Sequence, residues 1–533
     1  MRDTSIERVL RRIDGRGYKA YKDLRGAEET VPGVKVRVAR VQGDPFATPS
    51  VVELLAGAEP LFRAAPECRG AETALLDLAA RTMKRLLVPV SRKRGEGHSG
   101  LYRLPRMGPV MVPRSAARLR GGMLRLLVRA GLPSRGRRIL GSVAREMLLE
   151  ELPRAAWELV DRLSSGERGR LREWCRTWHD QEAVRRALPG MGLVAFVADG
   201  SILPRRCGQC WEPLEGAVPF ESPPSLRVEI KTPYRGVVGG MGVREGLTVV
   251  AGPAFHGKTT LLEALSVGVW NHVPGDGREL VITRRDAVLV ESENGRRVSC
   301  VDLRSFLRSL PGGGSTECFT TEDASGATSA AASIQEAVEA GSRLLLMDED
   351  MLATNLLHRD VWTERFTGKK TLITVTELAG SMKRHGISII VVASGAMPLL
   401  AEADTIIVMD EYRPVDATSY RSEAKRLAEE AGIANREEYT PPRKRRIEPP
   451  RPRKWRLRGS ILLLDSQEIP LAQGNIRQLE DPGMLETALA SILEGKRLED
   501  LIEGITPERS LSRRLDAALV MSRLPVRARH VHL

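Results

Sequence analysis

The sequence predicts an α/β fold whose central part is a largely parallel sheet, with an N-terminal α+β domain and a small helical C-terminal domain. Strand-like apolar runs alternate with helical patterns between residues 191 and 436, as expected of strand–helix–strand units. A strand, a glycine-rich loop and a helix follow one another from Leu247 to Leu265. A second apolar run, Leu344–Met347, ends in acidic residues.

Composition divides the chain into four segments. Residues 1–190 form the predicted α+β domain, and residues 191–436 form the α/β domain. Residues 437–458 are rich in proline and arginine, which favours an extended and poorly packed basic linker. Residues 459–533 carry amphipathic helical patterns, so we expect a small helical domain there.

The bulk composition excludes several classes of protein. No run of about 18 apolar residues occurs, so we expect no membrane segment. The charged N-terminus lacks a secretory apolar stretch, and we predict a soluble cytoplasmic protein. The 6 cysteines among 533 residues are too few for a disulfide framework. Cys207 and Cys210 form one CxxC pair. We interpret them as small turn residues in preference to a metal or redox site.

The formal net charge of +14 is concentrated in two segments. Residues 92–145 contain 14 Lys or Arg and a single acid, and residues 443–458 contain nine Lys or Arg and a single acid. Concentrated positive charge is typical of a surface that binds a phosphate backbone. The alternative is an ordinary solvated surface. Of the two interpretations, we favour a surface that binds nucleic acid.

The run Gly252–Thr259 has the pattern GxxxxGK[ST] and follows a β-prone run. Backbone N–H groups and the helix N-terminus would bind phosphates in this strand–loop–helix context. We expect Lys258 to reach the β- and γ-phosphates of ATP, and the Thr259 hydroxyl to bind Mg²⁺. The residues predicted to contact the nucleotide are Gly252, Pro253, Ala254, Phe255, His256, Gly257, Lys258, Thr259 and Thr260.

Two residues near this loop leave alternatives open. His256 is interpreted as a neutral filler of the loop in preference to a catalytic acid. Tyr234 either stacks on the adenine ring or lies in a surface turn.

The second apolar run ends in Asp348, Glu349 and Asp350. Carboxylates at the C-terminal end of a buried strand lie where doubly wound sheets bind their ligands. We expect Asp348 to hold Mg²⁺ and Glu349 to polarise the attacking water as general base. Asp350 either joins this site or is merely solvated.

Ser325 and Gly326 precede an alanine-rich helical stretch upstream of Asp348. A Ser-Gly pair before a helix is by itself an ordinary N-cap. Its place between the phosphate loop and Asp348 resembles the LSGGQ signature of ABC ATPases, with Ala327 and Thr328 replacing the final Gly and Gln. The resemblance implies an ABC-type P-loop NTPase core. It also implies that Ser325 and Gly326 cap the γ-phosphate of a second subunit, in a head-to-tail homodimer with two sandwiched nucleotides.

A closer resemblance covers most of the chain. The stretches that carry it are Ile13–Tyr18, Val41–Phe46, Gly136–Gly141, Phe196–Arg206, Asn271–Glu279 and Thr321–Gly326. Through them the sequence resembles the family of predicted ATPases of the ABC class. The resemblance implies a link to RNA processing.

Two departures from the ABC pattern concern hydrolysis. No glutamine lies between Lys258 and Gln335, so the Q-loop glutamine is missing and Asp302 is a weak substitute. Ser394 and Gly395 stand where a switch histidine is expected. We therefore expect slow hydrolysis, with γ-phosphate sensing by Glu349, Ser394 or another residue.

The basic segments predict sequence-nonspecific nucleic-acid binding, with RNA favoured over DNA. The alternatives are a DNA-repair or defence ATPase and a nucleotide-gated protein-interaction scaffold. The residues predicted to contact nucleic acid are Arg118, Arg120, Arg135, Arg137 and Arg138.

Overall fold

The computed structural model describes residues 5–208, 210–310, 313–358, 370–394, 397–431, 437–471 and 477–531. Two compact units make up the chain. Unit 1 comprises the chain up to His179, with Asp481–Thr487 and Lys496–Leu511; unit 2 comprises Asp180–Glu480, Ala488–Gly495 and the chain from Ser512 onward. This division differs from the four predicted segments, because the described residues after 458 are shared between the two units.

Unit 1 is built on an antiparallel sheet of order β1-β2-β3-β7-β4, with β6 also paired to β7. Alternating buried and exposed residues along β2 indicate a sheet with one face on a core. The strands are β1 (Glu28–Val31), β2 (Val34–Arg40), β3 (Ser50–Gly57), β4 (Tyr102–Arg103), β5 (Val110–Met111), β6 (Ala117–Arg120), β7 (Met123–Ala130), β8 (Ser134–Arg135) and β9 (Arg138–Ile139). Its helices are Ile6–Ile13, Glu59–Ala64, Glu72–Leu87, Gly141–Arg145, Leu152–Ser164 and Leu498–Ile502.

Unit 2 contains the predicted α/β core. Its main sheet has the order β16-β19-β20-β13-β21-β22 and is parallel except for β22. The strands from β10 to β18 are β10 (Leu193–Ala198), β11 (Arg227–Thr232), β12 (Gly236–Arg244), β13 (Leu247–Ala251), β14 (Asn271–His272), β15 (Val281–Thr283), β16 (Ala287–Val290), β17 (Val298–Val301) and β18 (Phe319–Thr321). The others are β19 (Leu344–Asp348), β20 (Ser388–Val392), β21 (Thr405–Asp410), β22 (Arg413–Asp416), β23 (Arg445–Glu448), β24 (Trp455–Arg458), β25 (Ile461–Leu464), β26 (Gln467–Pro470) and β27 (Arg527–His530).

Every residue of β13, β19 and β20 is buried, which is why these strands read as continuous apolar runs. An antiparallel sheet of order β11-β12-β10-β15 belongs to the same unit. The helices of unit 2 are Lys258–Val267, Gly326–Glu339, Thr354–Leu357, Val375–Arg384, Met397–Glu402, Arg421–Glu430 and Arg514–Ser522; Arg168–Gly190 and Pro482–Glu494 run across the boundaries between the units. The predicted α/β fold class is confirmed.

The proline- and arginine-rich segment 437–458 is packed, in contrast to the predicted linker. β23 pairs with β27, and β24 pairs with β25. The buried Tyr439 donates a hydrogen bond from its hydroxyl to Oε1 of Gln335 over 2.6 Å. The partner of β23 lies about 80 residues further along the chain, so local composition does not reveal that pairing, whereas β24 and β25 form a local hairpin.

The cysteines also differ from the expectation. All six are paired, as Cys68–Cys175, Cys207–Cys210 and Cys300–Cys318. Two of these pairs join residues 107 and 18 positions apart, so folding and not local spacing decides them. The CxxC pair is a disulfide in the structure and not a set of metal ligands. Within the described part of the chain, no helix combines the length and apolar character needed to cross a membrane.

Candidate nucleotide site

The phosphate loop joins the end of β13 to the helix Lys258–Val267. Gly252 and Gly257 have φ angles of 129° and 95°, a region that side chains disfavour. A Cβ atom on Gly252 would lie 2.4 Å from the carbonyl oxygen of Met409, so only glycine fits there. Phe255 also has a positive φ of 66° and is 94% exposed. The loop therefore has a special backbone shape that its glycines allow.

Lys258 points back into this loop. Its Nζ donates hydrogen bonds of 2.7 Å to the carbonyl oxygens of Gly252 and Pro253, and the residue is buried. The positive charge of Lys258 is thereby held within the loop, among backbone groups that can bind phosphate oxygens.

Thr259, in the first turn of the helix Lys258–Val267, meets Asp348 at the end of β19. The Thr259 hydroxyl donates to Oδ2 of Asp348 over 2.8 Å, and the Asp350 N–H donates to Oδ1 over 3.1 Å. Burial raises the pKa of Asp348 above its usual range, although these two hydrogen bonds oppose the effect. A hydroxyl and a buried carboxylate are hard oxygen donors of the kind that Mg²⁺ prefers, so these residues fit the predicted metal.

Glu349 has both carboxylate oxygens engaged. The backbone N–H of Ser394 donates to Oε2 over 2.8 Å, and Nε2 of His358 lies 3.1 Å from Oε1. Partial burial raises the pKa of Glu349, but the hydrogen bonds from Ser394 and His358 outweigh it, and the net pKa lies below the usual value. An ionised carboxylate in a fixed orientation suits a general base.

Sequence reasoning did not find His358. Ser394 occupies the predicted place after β20, and it contacts Glu349 through its backbone. His358 follows Glu349 by nine positions, just after the short helix Thr354–Leu357. The imidazole is the detectable signal, because the chain has only 8 histidines, but the ABC pattern predicts a histidine after β20 and not after this helix. Gly395 lies outside the described residues.

Ser325 and Gly326 form the beginning of the helix Gly326–Glu339, as predicted. Ser325 is the N-cap residue and is exposed, and its hydroxyl lies 3.0 Å from that of Thr328. A Cβ atom on Gly326 would lie 3.0 Å from Oδ1 of Asn294. Among the residues that the structure describes, no hydrogen bond or ion pair joins this pair to the phosphate loop of the same chain.

Three further candidates have defined partners. Asp302, the weak substitute for the Q-loop glutamine, is buried, and its carboxylate pairs with the guanidinium of Arg304 over 2.7 Å. The carboxylate is therefore already engaged by Arg304. Nδ1 of His256 accepts the N–H of Glu411 over 2.9 Å. Tyr234 lies between β11 and β12, where its backbone N–H donates to Oδ1 of Asp180 over 2.8 Å.

The residues predicted to bind nucleic acid lie on strand β6 and on the β8–β9 hairpin. Arg118 forms an ion pair with Glu503, and the side chain of Arg120 is 68% exposed at 4.0 Å from Glu53. The hairpin β8–β9 presents Arg135 and Arg137 in exposed positions. Arg138 is exposed as well, and its guanidinium donates to the carbonyl oxygen of Gly15 over 3.1 Å.

A second basic surface lies around β24 in unit 2. We call it the cation strip: its side chains are exposed cations for which the described residues supply no carboxylate partner, namely Arg451, Arg453, Lys454, Arg456 and Arg458. By contrast, buried Arg125 and Arg129 of unit 1 are paired with Glu53 and Glu508. In the folded protein, carboxylate partners neutralise much of the positive charge in residues 92–145. The positive charge of the cation strip has no such partner among the described residues.

Two family models match most of the chain. The P-loop domain of the ABC ATPase family matches residues 167–446, and the family described as ATPase of the ABC class N-terminal matches residues 3–162. An uncharacterized protein of Methanocaldococcus jannaschii is 32% identical over 259 residues, which are 46% of this chain and 57% of that protein. The chain thus spans little more than half the length of this curated relative.

A solved structure with a similar part is cbiO1 of Clostridium perfringens, which belongs to the ABC transporter complex cbiONQ. The match covers 45% of this chain and 95% of cbiO1, at 14% identity and a TM-score of 0.26.

Proposed function

Because this chain belongs to the family of ATPases of the ABC class, we propose that it is a slow Mg²⁺-dependent ATPase that acts as a nucleotide-sandwich homodimer and binds nucleic acid, RNA in preference to DNA. The observation that carries the ATPase part is the contact of Thr259 with Asp348 beside Glu349. It joins the phosphate loop to the acidic strand end, as hydrolysis of a bound triphosphate requires.

Each residue of the site has a distinct task in this proposal. Lys258 supplies positive charge within the phosphate loop. Thr259 and Asp348 would hold Mg²⁺, which offsets negative charge on the phosphates. Glu349 accepts a proton from the attacking water. The hydrogen bonds from Ser394 and His358 hold both oxygens of that carboxylate in place.

The ATPase proposal is tested by Glu349→Gln, which keeps the side chain's shape and removes its basicity. We expect kcat to fall at least about a hundredfold, with ATP affinity retained. Asp350→Asn is the matched control, because Asp350 is exposed at the neighbouring position and should turn over ATP almost normally. Normal turnover by Glu349→Gln would exclude Glu349 as the base, and no hydrolysis by the unaltered protein would exclude the ATPase.

The slow rate is supported by the missing Q-loop glutamine and by the commitment of Asp302 to Arg304. We expect kcat below about 1 s⁻¹ per site, at or under the lower end of common enzyme values. A rate of tens per second in purified protein would contradict this part of the proposal.

The homodimer is supported by the exposed position of Ser325 at a helix N-terminus, where it can meet the γ-phosphate of a second copy. We expect Glu349→Gln protein with ATP to have twice the monomer mass in light scattering. Adding Ser325→Glu places negative charge at the contact and should leave a monomer, whereas Ser325→Ala should weaken the dimer less. A monomeric Glu349→Gln protein at saturating ATP would contradict the sandwich.

Nucleic-acid binding is supported by the cation strip and by the β8–β9 hairpin. Both present exposed cations, which give affinity for a phosphate backbone without reading sequence. Trp455 is partly buried beside the strip, where an aromatic ring among cations suits single strands.

Fluorescence anisotropy with RNA and DNA single strands of one sequence tests this part. Arg456→Glu with Arg458→Glu should weaken RNA binding at least about tenfold and reduce the salt slope by about one unit. Arg118→Gln is the control, because Arg118 is already paired with Glu503. Tighter binding to DNA would favour the repair or defence alternative. Tighter binding to an acidic polypeptide would favour the interaction scaffold.

A further inference from the structure

A pocket of about 280 Å³ opens beside the phosphate loop within unit 2. Gly257 of the loop and Thr260 of the helix that follows it form one side of the pocket. The other side consists of apolar and aromatic side chains, namely Leu214, Val218, Phe220, Met409 and Tyr412. Its size is near the lower end of roughly 300–1,000 Å³ for small-molecule sites.

The pocket lies toward the opposite side of the loop from the acidic residues. In the main sheet, β13 stands between β20 and β21. Asp348 and the contact with Ser394 lie at the ends of β19 and β20, whereas Met409 and Tyr412 belong to the end of β21 and the turn after it. A triphosphate whose γ end is at Glu349 therefore has its nucleoside end directed toward β21.

Tyr412 is held in place by an unusual turn. Glu411 and Tyr412 have φ angles of 44° and 70°, which side chains rarely adopt and which tend to persist at functional sites. The N–H of Glu411 donates to His256 of the loop over 2.9 Å. A Cβ atom on Gly257 would lie 3.4 Å from Cδ1 of Tyr412, so the ring lies against the loop itself.

Several apolar side chains at this pocket remain open to solvent. Leu214 is 41% exposed, Val218 is 38% exposed and Tyr412 is 56% exposed, while Phe220 at the same pocket is 3% exposed. Grouped exposed apolar side chains mark a surface that binds another molecule. Their position beside a phosphate loop identifies which part of a nucleotide they suit.

We propose that this pocket binds the base of the bound nucleotide, with the Tyr412 ring against the face of the heterocycle. The inference rests on the proposed ATP binding and assigns the base to this pocket and not to Tyr234. No charged side chain occurs among the described residues that line the pocket. Apolar pockets discriminate weakly between molecules of similar shape, so ATP and GTP should bind with similar affinity and pyrimidine triphosphates more weakly.

The test compares MgATP with magnesium tripolyphosphate, which has the phosphates and no base. Calorimetry on the full chain should show that Tyr412→Ala weakens ATP binding roughly tenfold, the usual effect of losing one stacked ring. Its affinity for tripolyphosphate should be unchanged, which also shows that the variant is folded. Tyr412→Phe should behave like the unaltered protein, and Tyr234→Ala is the matched control.

The outcomes separate this inference from the function on which it rests. Unchanged ATP affinity in Tyr412→Ala, or a tenfold loss in Tyr234→Ala alone, would overturn the base pocket and leave ATP binding intact. Equal losses for ATP and tripolyphosphate would also overturn it. A hundredfold preference for ATP over GTP would contradict recognition by shape and stacking. If the unaltered protein bound neither probe, the proposed ATPase function would fall as well.

Discussion

His358 and Glu349 are joined side chain to side chain, with Nε2 of His358 lying 3.1 Å from Oε1 of Glu349. The other oxygen of the carboxylate accepts the N–H of Ser394. The ring therefore restrains the carboxylate from one direction while the end of β20 restrains it from the other. From this contact we predict that His358 positions the proposed base.

His358→Ala should lower kcat for ATP by about tenfold to a hundredfold, because a general base that loses its orientation spends less time in reach of the attacking water. ATP affinity should stay within about twofold, since His358 does not belong to the phosphate loop. His358→Gln retains an N–H donor and should recover part of the rate. A change in ATP affinity with unaltered kcat would show that His358 serves binding and not positioning.

Asp348→Asn should raise the Mg²⁺ concentration needed for half-maximal hydrolysis by at least about tenfold, because it removes a charged ligand from the proposed metal site. Chelation of Mg²⁺ should abolish hydrolysis by the unaltered protein. A magnesium titration of ATPase activity measures both effects, with Asp350→Asn as the control. Identical Mg²⁺ curves for the two variants would remove Asp348 from the metal site.

Arg114→Met should destabilise unit 1 by about 3–5 kcal/mol, the usual cost of leaving buried charges without their partner. Nε of Arg114 lies 2.9 Å from Oδ1 of Asp77, and the same guanidinium pairs with Asp481. Urea denaturation followed by circular dichroism measures the loss. Arg118→Met is the control, because the pair with Glu503 is partly exposed and should contribute no more than about 1 kcal/mol. Equal urea midpoints for the two variants would contradict the predicted cost of leaving the buried carboxylates without Arg114.

Reduction of the disulfides should lower the stability of the protein. Cys68–Cys175 joins residues 107 positions apart, and the loss of such a link costs about 2–5 kcal/mol. Cys68→Ser should reproduce most of the decrease in Tm that a phosphine reductant causes. Thiol titration of denatured, unreduced protein should find no free thiol. Six free thiols would show that the pairs do not form in solution.

The main features of the nucleotide site were predictable because they depend on short-range order. A β-prone run, a glycine-rich loop and a helix specify the backbone from Leu247 to Leu265 almost by themselves. The acids at the end of β19 were predictable for the same reason, since a buried strand can expose carboxylates only where it ends. The predicted fold class followed from the alternation of such strands with helices.

Local sequence does not predict which of the basic residues keep an unpaired charge. Arg118, Arg125 and Arg129 contribute to the same positive segment as Arg135 and Arg137, and charge counting treats them alike. In the structure the first three meet Glu503, Glu53 and Glu508. Those carboxylates come from distant parts of the chain, so the surviving charge can be counted only after folding.

By itself, the sequence determined the phosphate loop, the acidic residues at the end of β19 and the Ser325–Gly326 helix start, because each depends on neighbours within one turn or strand. Only the tertiary structure decided that His358 meets Glu349, that six cysteines pair and that Tyr412 lines an apolar pocket beside Gly257. These contacts depend on which strands lie side by side and on which distant segments pack together. The strand order and the packing of distant segments depend on the burial of apolar residues from the whole chain, so no local sequence pattern specifies them.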